Sequence, residues 1–115
     1  MLKEAIIKGL IDGKGRDIIC LDLRKVSGAV ADYFIICHGE SSTQVEGLYK
    51  SVYESSFKSV GEKPWHEEGV FNAEWILLDY VNIVVHIFHR DIRTFYNLED
   101  LWADAPNEKF ESVMK

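Results

Sequence analysis

The chain has few of the residues that staple or break a fold: two cysteines and two prolines in 115 residues. Cys20 and Cys37 each sit in an apolar, strand-like run, too few for a disulfide framework, so buried free thiols are expected. Positive charge is also scarce, with 13 Lys and Arg against 19 Asp and Glu and a net charge of -6. A footprint on phosphate backbone needs clustered cations, so direct sequence-specific nucleic-acid binding is disfavoured. Docking onto a basic protein surface, including one that itself sits on RNA, stays open. No apolar run reaches membrane-spanning length, and Lys3, Glu4 and Lys8 interrupt the first one. A cytoplasmic protein with no membrane contact is expected. There are no internal repeats and no low-complexity segments. A split chain would leave two pieces too small to bury a core, so a single domain over residues 1–104 is expected, with 105–115 as a mobile tail.

What the chain does have is hydrophobic residues, 47% of the total, concentrated around Trp75 to Phe88. The stretch WILLDYVNIVVHIF holds two runs of β-branched and aromatic residues separated at Val81 and Asn82, the pattern of a hairpin. With those two residues as the turn, Trp75 pairs with Phe88, Ile76 with Ile87, Leu77 with His86, Leu78 with Val85, Asp79 with Val84 and Tyr80 with Ile83. Alternate pairs share a face. One face carries Ile76, Ile87, Leu78, Val85, Tyr80 and Ile83 and calls for a covering helix. The other carries Trp75, Phe88, Leu77, His86, Asp79 and Val84. Anchors mixed with a carboxylate and an imidazole suit a surface that meets another macromolecule. The alternative is a second, smaller core layer under an extra helix.

Upstream, Leu2, Ala5, Ile6, Gly9 and Leu10 trace an amphipathic helix over about 2–12, stopped by Gly13 and Gly15. A strand from Arg16 to Leu23 follows. The continuous apolar run Tyr33 to Cys37 predicts a strand buried on both faces near the middle of a sheet. Ser41 with Gln44 fits a capping box, opening a helix from about Ser42 to Val60 with Gly61 as its stop. Pro64 limits any strand from Lys63 to Glu67 to a short one at an edge. Downstream of the hairpin, helical turns over 92–96 and 98–102, with Asp91 and Asn97 as caps, place Phe95, Leu98, Leu101 and Trp102 to pack on the sheet. The order predicts an α/β fold, a mixed β-sheet of about five strands with helices packed on it.

The candidate chemistry is incomplete. His86 and His89 would point to opposite faces of a strand, and His38 and His66 lie in separate loops, so no metal site assembles. Cys37 and His38 are strand neighbours whose side chains diverge, which defeats a nucleophile and base pair. The turn Gly39 to Ser42 leading into a helix could seat a phosphate, as in nucleotidyltransferases, but that chemistry needs paired carboxylates to hold divalent metal ions. Asp22 is followed two residues on by Arg24, and Glu67 and Glu68 are adjacent and diverge in a strand. No catalytic residue and no cofactor are assigned. A nucleotide-binding enzyme on this scaffold is the alternative reading.

Several motifs carry a family resemblance. They are RKVSGAVADYFIICHGESSTQV over 24–45, Glu68 with Gly69, Ala73 with Trp75, LLDY over 77–80, VVHIF over 84–88, Arg93 with Phe95 and Tyr96, then Leu98, Glu99, Leu101, Trp102 and Asp104 to Pro106. In this order and spacing they resemble the ribosomal silencing factors, RsfS or Iojap, over about residues 3–106. The resemblance implies a nucleotidyltransferase-like fold without that activity. It further implies binding to the fourteenth protein of the large ribosomal subunit, blocked joining of the small subunit, repressed translation under nutrient limitation, and a homodimer when free. Two departures stand out. Val81-Asn82 replaces the common Gly-Asp, which is costly if the turn needs positive φ, and His38 replaces a common Ser. Taken together, Trp75, Leu77, Asp79, His86 and Phe88 are the expected docking residues, with Glu67 or Glu68 on the neighbouring edge as candidates for a second acidic contact.

Overall fold

The computed structural model describes residues 1–111. Its elements in chain order are α1 (Leu2–Asp12), β1 (Arg16–Asp22), β2 (Tyr33–Gly39), α2 (Ser42–Val60), β3 (His66–Glu68), β4 (Trp75–Asp79), β5 (Ile83–His89), α3 (Arg90–Tyr96), α4 (Leu98–Leu101) and β6 (Asn107–Phe110). The strands form one sheet in the order β3-β4-β5-β2-β1-β6. Among the described residues only β2 and β5 run parallel; the other pairings are antiparallel. The mixed sheet with packed helices is the architecture the sequence predicts, with six strands instead of about five.

The hairpin forms in the expected register, from Trp75 opposite Phe88 to Asp79 opposite Val84. Tyr80 N–H donates to the Ile83 carbonyl at 2.8 Å, so Val81 and Asn82 are the whole turn. Val81 sits at φ 78, and Asn82 N–H donates back to the Tyr80 carbonyl at 3.0 Å. This is a γ-turn geometry that a β-branched residue adopts only against steric resistance.

One face of the sheet is sealed by α1 and α2. Ile35, Cys37, Ile76, Leu78, Val85 and Ile87 pack with Ile6, Leu10, Val45, Leu48 and Val52 into a cluster in which each of these residues is fully buried. The two helices touch closely because Gly9 has no side chain: a Cβ there would lie 2.9 Å from the Ser51 carbonyl oxygen. Ser51 and Ser55 hydroxyls donate to the Gly9 and Ala5 carbonyls at 2.6 and 2.7 Å. Burial pushes the Cys37 thiol up to about 12, so it is a packing group and not a nucleophile. At the start of α2, Ser41 Oγ accepts from Gln44 N–H at 3.2 Å. Gln44 Oε1 accepts in turn from Glu40 N–H at 2.7 Å.

Four expectations are corrected. The edge strand is His66–Glu68, beginning two residues beyond Pro64. Helix α3 starts at Arg90 directly after β5, and its cap is His89, whose Nδ1 accepts from Asp91 N–H at 3.3 Å; Asp91 is not the cap. Of the four residues expected to pack back on the sheet, Leu98 and Trp102 do, whereas Phe95 and Leu101 stay 78% and 70% exposed. Phe95 belongs to α3 and Leu98 to α4, and Asn97 in the left-handed conformation between them breaks the continuous helical face that the spacing assumed. Finally, the stretch read as a mobile tail supplies β6, antiparallel to β1, with Ala105 buried and the Pro106 carbonyl accepting from Asp22 N–H at 2.8 Å. The end of that expected tail, 112–115, lies outside the described residues.

Candidate functional site

The second face of the sheet carries Trp75, Leu77 and Asp79 from β4, Val84, His86 and Phe88 from β5, Phe34, Ile36 and His38 from β2, and Ile19 and Leu21 from β1. Its cover is thinner than that of the first face. The loop carrying Leu23, Val26, Ala29 and Ala31, together with Ile92, Leu98, Trp102 and Ala105, packs over its centre. Phe88 is fully buried there and His86 is 4% exposed. Neither can touch a partner in this arrangement, so for the β5 half of the hairpin face the second core layer replaces the expected docking role.

The β4 half stays accessible. Trp75, Leu77 and Asp79 are all partly buried. The Trp75 ring lies 4.8 Å from Phe88 and 4.7 Å from Tyr96, which is itself 51% exposed and 5.1 Å from Phe95. An aromatic strip thus runs from the buried Phe88 outward through Trp75 and Tyr96 to Phe95. Tyr96 and Phe95 are not among the docking residues that the sequence predicts: it places Phe95 against the sheet and gives Tyr96 no docking role. The signal that could have found them is their adjacency, since neighbouring helical residues point about 100° apart and Phe95 and Tyr96 cannot both face the sheet.

The acidic residues separate. Glu68 pairs across from Leu77 and therefore shares the Trp75 face, where its carboxylate meets His66 Nε2 at 3.0 Å. Glu67 points to the opposite face and accepts from the Tyr49 hydroxyl of α2 at 3.0 Å. Of the two glutamates, either of which was expected to add a second acidic contact, Glu68 lies on the Trp75 face and Glu67 on the opposite one. Asp79 uses Oδ1 to accept from Val81 N–H at 2.7 Å, which pins the turn.

Behind the strip sits a polar core. Trp75 Nε1–H donates to His86 Nδ1 at 3.1 Å, while His86 Nε2 is buried without a hydrogen-bond partner. Burial lowers His86 to about 4, so the ring is neutral near pH 7. Arg93, also buried, donates to His38 Nδ1 at 3.0 Å, to the Arg16 carbonyl at 3.3 Å and to Glu99 Oε2 at 3.3 Å. It ties β1, β2, α3 and α4 together. His38 is lowered first by burial and then by the Arg93 guanidinium, which favours the neutral ring that accepts in this network. A cleft of about 710 Å³ beside it mixes Arg90, Arg93 and Lys109 with Asp17, Glu99 and Glu111, so its charges do not form a single-signed phosphate seat. At the Gly39 to Ser42 turn, Glu40 holds Arg90 at 2.8 Å. No group of three or more His, Cys, Asp or Glu that could hold a metal ion occurs among the described residues.

Fold and site together define an α/β protein with one sealed sheet face and one aromatic, acid-flanked face. A family model described as "Ribosomal silencing factor during starvation" (RsfS) matches residues 2–115. The chain is 43% identical over 95 residues to the ribosomal silencing factor RsfS of Bacillus subtilis, covering 83% of this chain and 79% of that one. It is 36% identical over 117 residues to the RsfS of Halalkalibacterium halodurans, covering 98% and 95%. A crystal structure of a Chromobacterium violaceum protein superposes with a TM-score of 0.82 at 32% identity, covering 98% of this chain and 91% of that one. The chain belongs to the RsfS family of ribosomal silencing factors.

Proposed function

We propose that this chain is a non-enzymatic repressor of translation in the cytoplasm that docks on the large ribosomal subunit through that subunit's fourteenth protein. Its bulk then blocks joining of the small subunit when nutrients are short. Family membership supports the class of function. The observation that carries the docking mode is the accessible Trp75, Tyr96 and Phe95 strip beside Leu77, with Asp79 and Glu68 on the same face. Large aromatic anchors inside a charged rim are the composition of a binding hot spot, and an acidic rim suits a basic protein surface. Free of the ribosome, the chain forms a homodimer.

Co-sedimentation with isolated large subunits tests this reading. The protein should pellet with large subunits, and prior binding should reduce the fraction of small subunits that join. Association should slow as salt rises, because rim charges act mainly on the on-rate and are screened over about 8 Å at physiological ionic strength. Failure to pellet overturns the docking. A salt-independent on-rate removes the role given to Asp79 and Glu68 and leaves the aromatic anchor standing.

A further inference from the structure

The chain keeps an imidazole where the surroundings call for hydrocarbon. His86 is 4% exposed, in a layer formed with Val84, Phe88, Phe34 and Ile36. Its ring meets Phe34 edge-on at 4.7 Å and lies 6.2 Å from Phe88, nearly parallel to it. An indole N–H can only donate, so the Trp75 bond requires a lone pair on His86 Nδ1. A neutral ring then carries its proton on Nε2, the buried atom without a partner. An orphaned buried donor destabilises the fold, and a leucine or phenylalanine in its place would not. What the imidazole gives in return is a fixed orientation of Trp75. The two residues are diagonal neighbours across the β4 and β5 pairing, close enough for the side chains to meet.

We infer that His86 is a positioning residue for docking: it takes up the indole N–H of Trp75, turns the hydrocarbon part of that ring toward the partner, and sets it in place before contact. This rests on the docking reading above. A pre-set anchor loses less side-chain freedom on binding and hides no unpaired N–H in the interface. The fold accepts an unsatisfied donor in its second layer so that the neighbouring anchor is held in one pose. On this account stability and docking respond in opposite directions to the same substitution.

Three variants of the full chain test the inference: His86→Leu, which removes the acceptor; His86→Asn, whose Oδ1 can stand near the site of Nδ1; and Trp75→Ala. The readouts are the urea midpoint, the ¹H–¹⁵N signal and solvent exchange of the Trp75 indole, and affinity for isolated large subunits. His86→Leu should have a midpoint at or above that of the unaltered protein, a shifted and faster-exchanging indole signal, and affinity at least about tenfold weaker. His86→Asn should keep the indole signal protected and bind within about threefold of the unaltered protein. If His86→Leu binds normally while Trp75→Ala is impaired, the docking face stands and the positioning role is overturned. The positioning role is equally overturned if His86→Leu lowers the midpoint and loses binding only in proportion to its unfolded fraction. If Trp75→Ala itself binds normally, the docking face lies elsewhere and both readings fall together.

Discussion

The two faces of the sheet are built from the same alternating strands, yet they solve different problems. Under α1 and α2, the residues from β2, β4 and β5 meet long helices whose inward positions are hydrocarbon apart from Ser56, which bonds the Tyr80 hydroxyl, and the layer closes completely. On the other side, α3 has seven residues with only Arg93 buried, and α4 has four with none. Such short helices cannot span the sheet. Together with the loop carrying Leu23, Val26, Ala29 and Ala31 they cover the centre of the face and leave the β4 side open, with Trp75 and Tyr96 in ring contact at the boundary. Long helices make a core; short ones leave a margin where anchors can be both held and reached.

The sharpest way to break this contrast is to truncate neighbouring residues of β4 that face opposite ways. Ile76 is fully buried under the helices, and Ile76→Ala should lower stability by about 2 to 5 kcal/mol in urea unfolding while the folded fraction binds large subunits normally. Trp75→Ala should cost the fold less than Ile76→Ala, because that ring is only partly buried, and should weaken subunit binding by at least about 2 kcal/mol. Equal loss of stability with normal binding by the folded Trp75→Ala protein would show that both faces are core and would remove the docking site.

Acid probes the second face selectively. Burial lowers His86 from 6.5 in the reference state to about 4 in the fold, so between those values the unfolded chain takes up a proton that the folded one refuses. The contribution is fully present above pH 6.5 and declines as pH falls, reaching a loss of roughly 3 kcal/mol near pH 4. His38, lowered in the same direction, adds to the slope. Urea midpoints measured across this range should therefore fall steeply for the unaltered protein and more gently for His86→Leu. Parallel curves would mean that the His86 ring is hydrated and the second layer is not closed over it.

The sequence carried the first face almost completely. Period-two alternation in 75–88 set the hairpin register, and the three-and-four spacings located α1 and α2. It carried the second face poorly, for identifiable reasons. β6 reads NEKF, with no apolar stripe on either side, because an edge strand needs only to pair its backbone with β1. His86 and Phe88 alternate correctly onto the Trp75 face, yet alternation cannot say where a cover ends. Loop residues such as Leu23 and Ala31 close over that face, and they belong to no periodic segment. Glu67 and Glu68, as strand neighbours, must point to opposite faces, but the sequence does not say which of them shares the face of Trp75. The structure enforces the divergence.

The smallest expected effect lies at the tip of the hairpin, away from Trp75. Val81 holds φ 78 with its side chain 59% exposed, so its strain is not offset by deep burial. Left-handed backbone costs a residue with a Cβ about 1 to 2 kcal/mol, and glycine avoids that while losing about 0.5 to 1 kcal/mol more conformational freedom on folding. Val81→Gly should therefore raise stability by between zero and about 1.5 kcal/mol. Backbone anchors of the turn do not depend on the valine side chain: Asp79 Oδ1 accepts from the residue 81 N–H, and the Asn82 carbonyl accepts from Asp32 and Tyr33 N–H groups at 2.8 and 3.2 Å. Binding to large subunits should be unchanged, since Trp75 and Tyr96 lie at the other end of the strand pair. A loss of affinity would instead assign Val81 to the contact surface and extend the docking site along the whole of β4, from the aromatic strip to the turn.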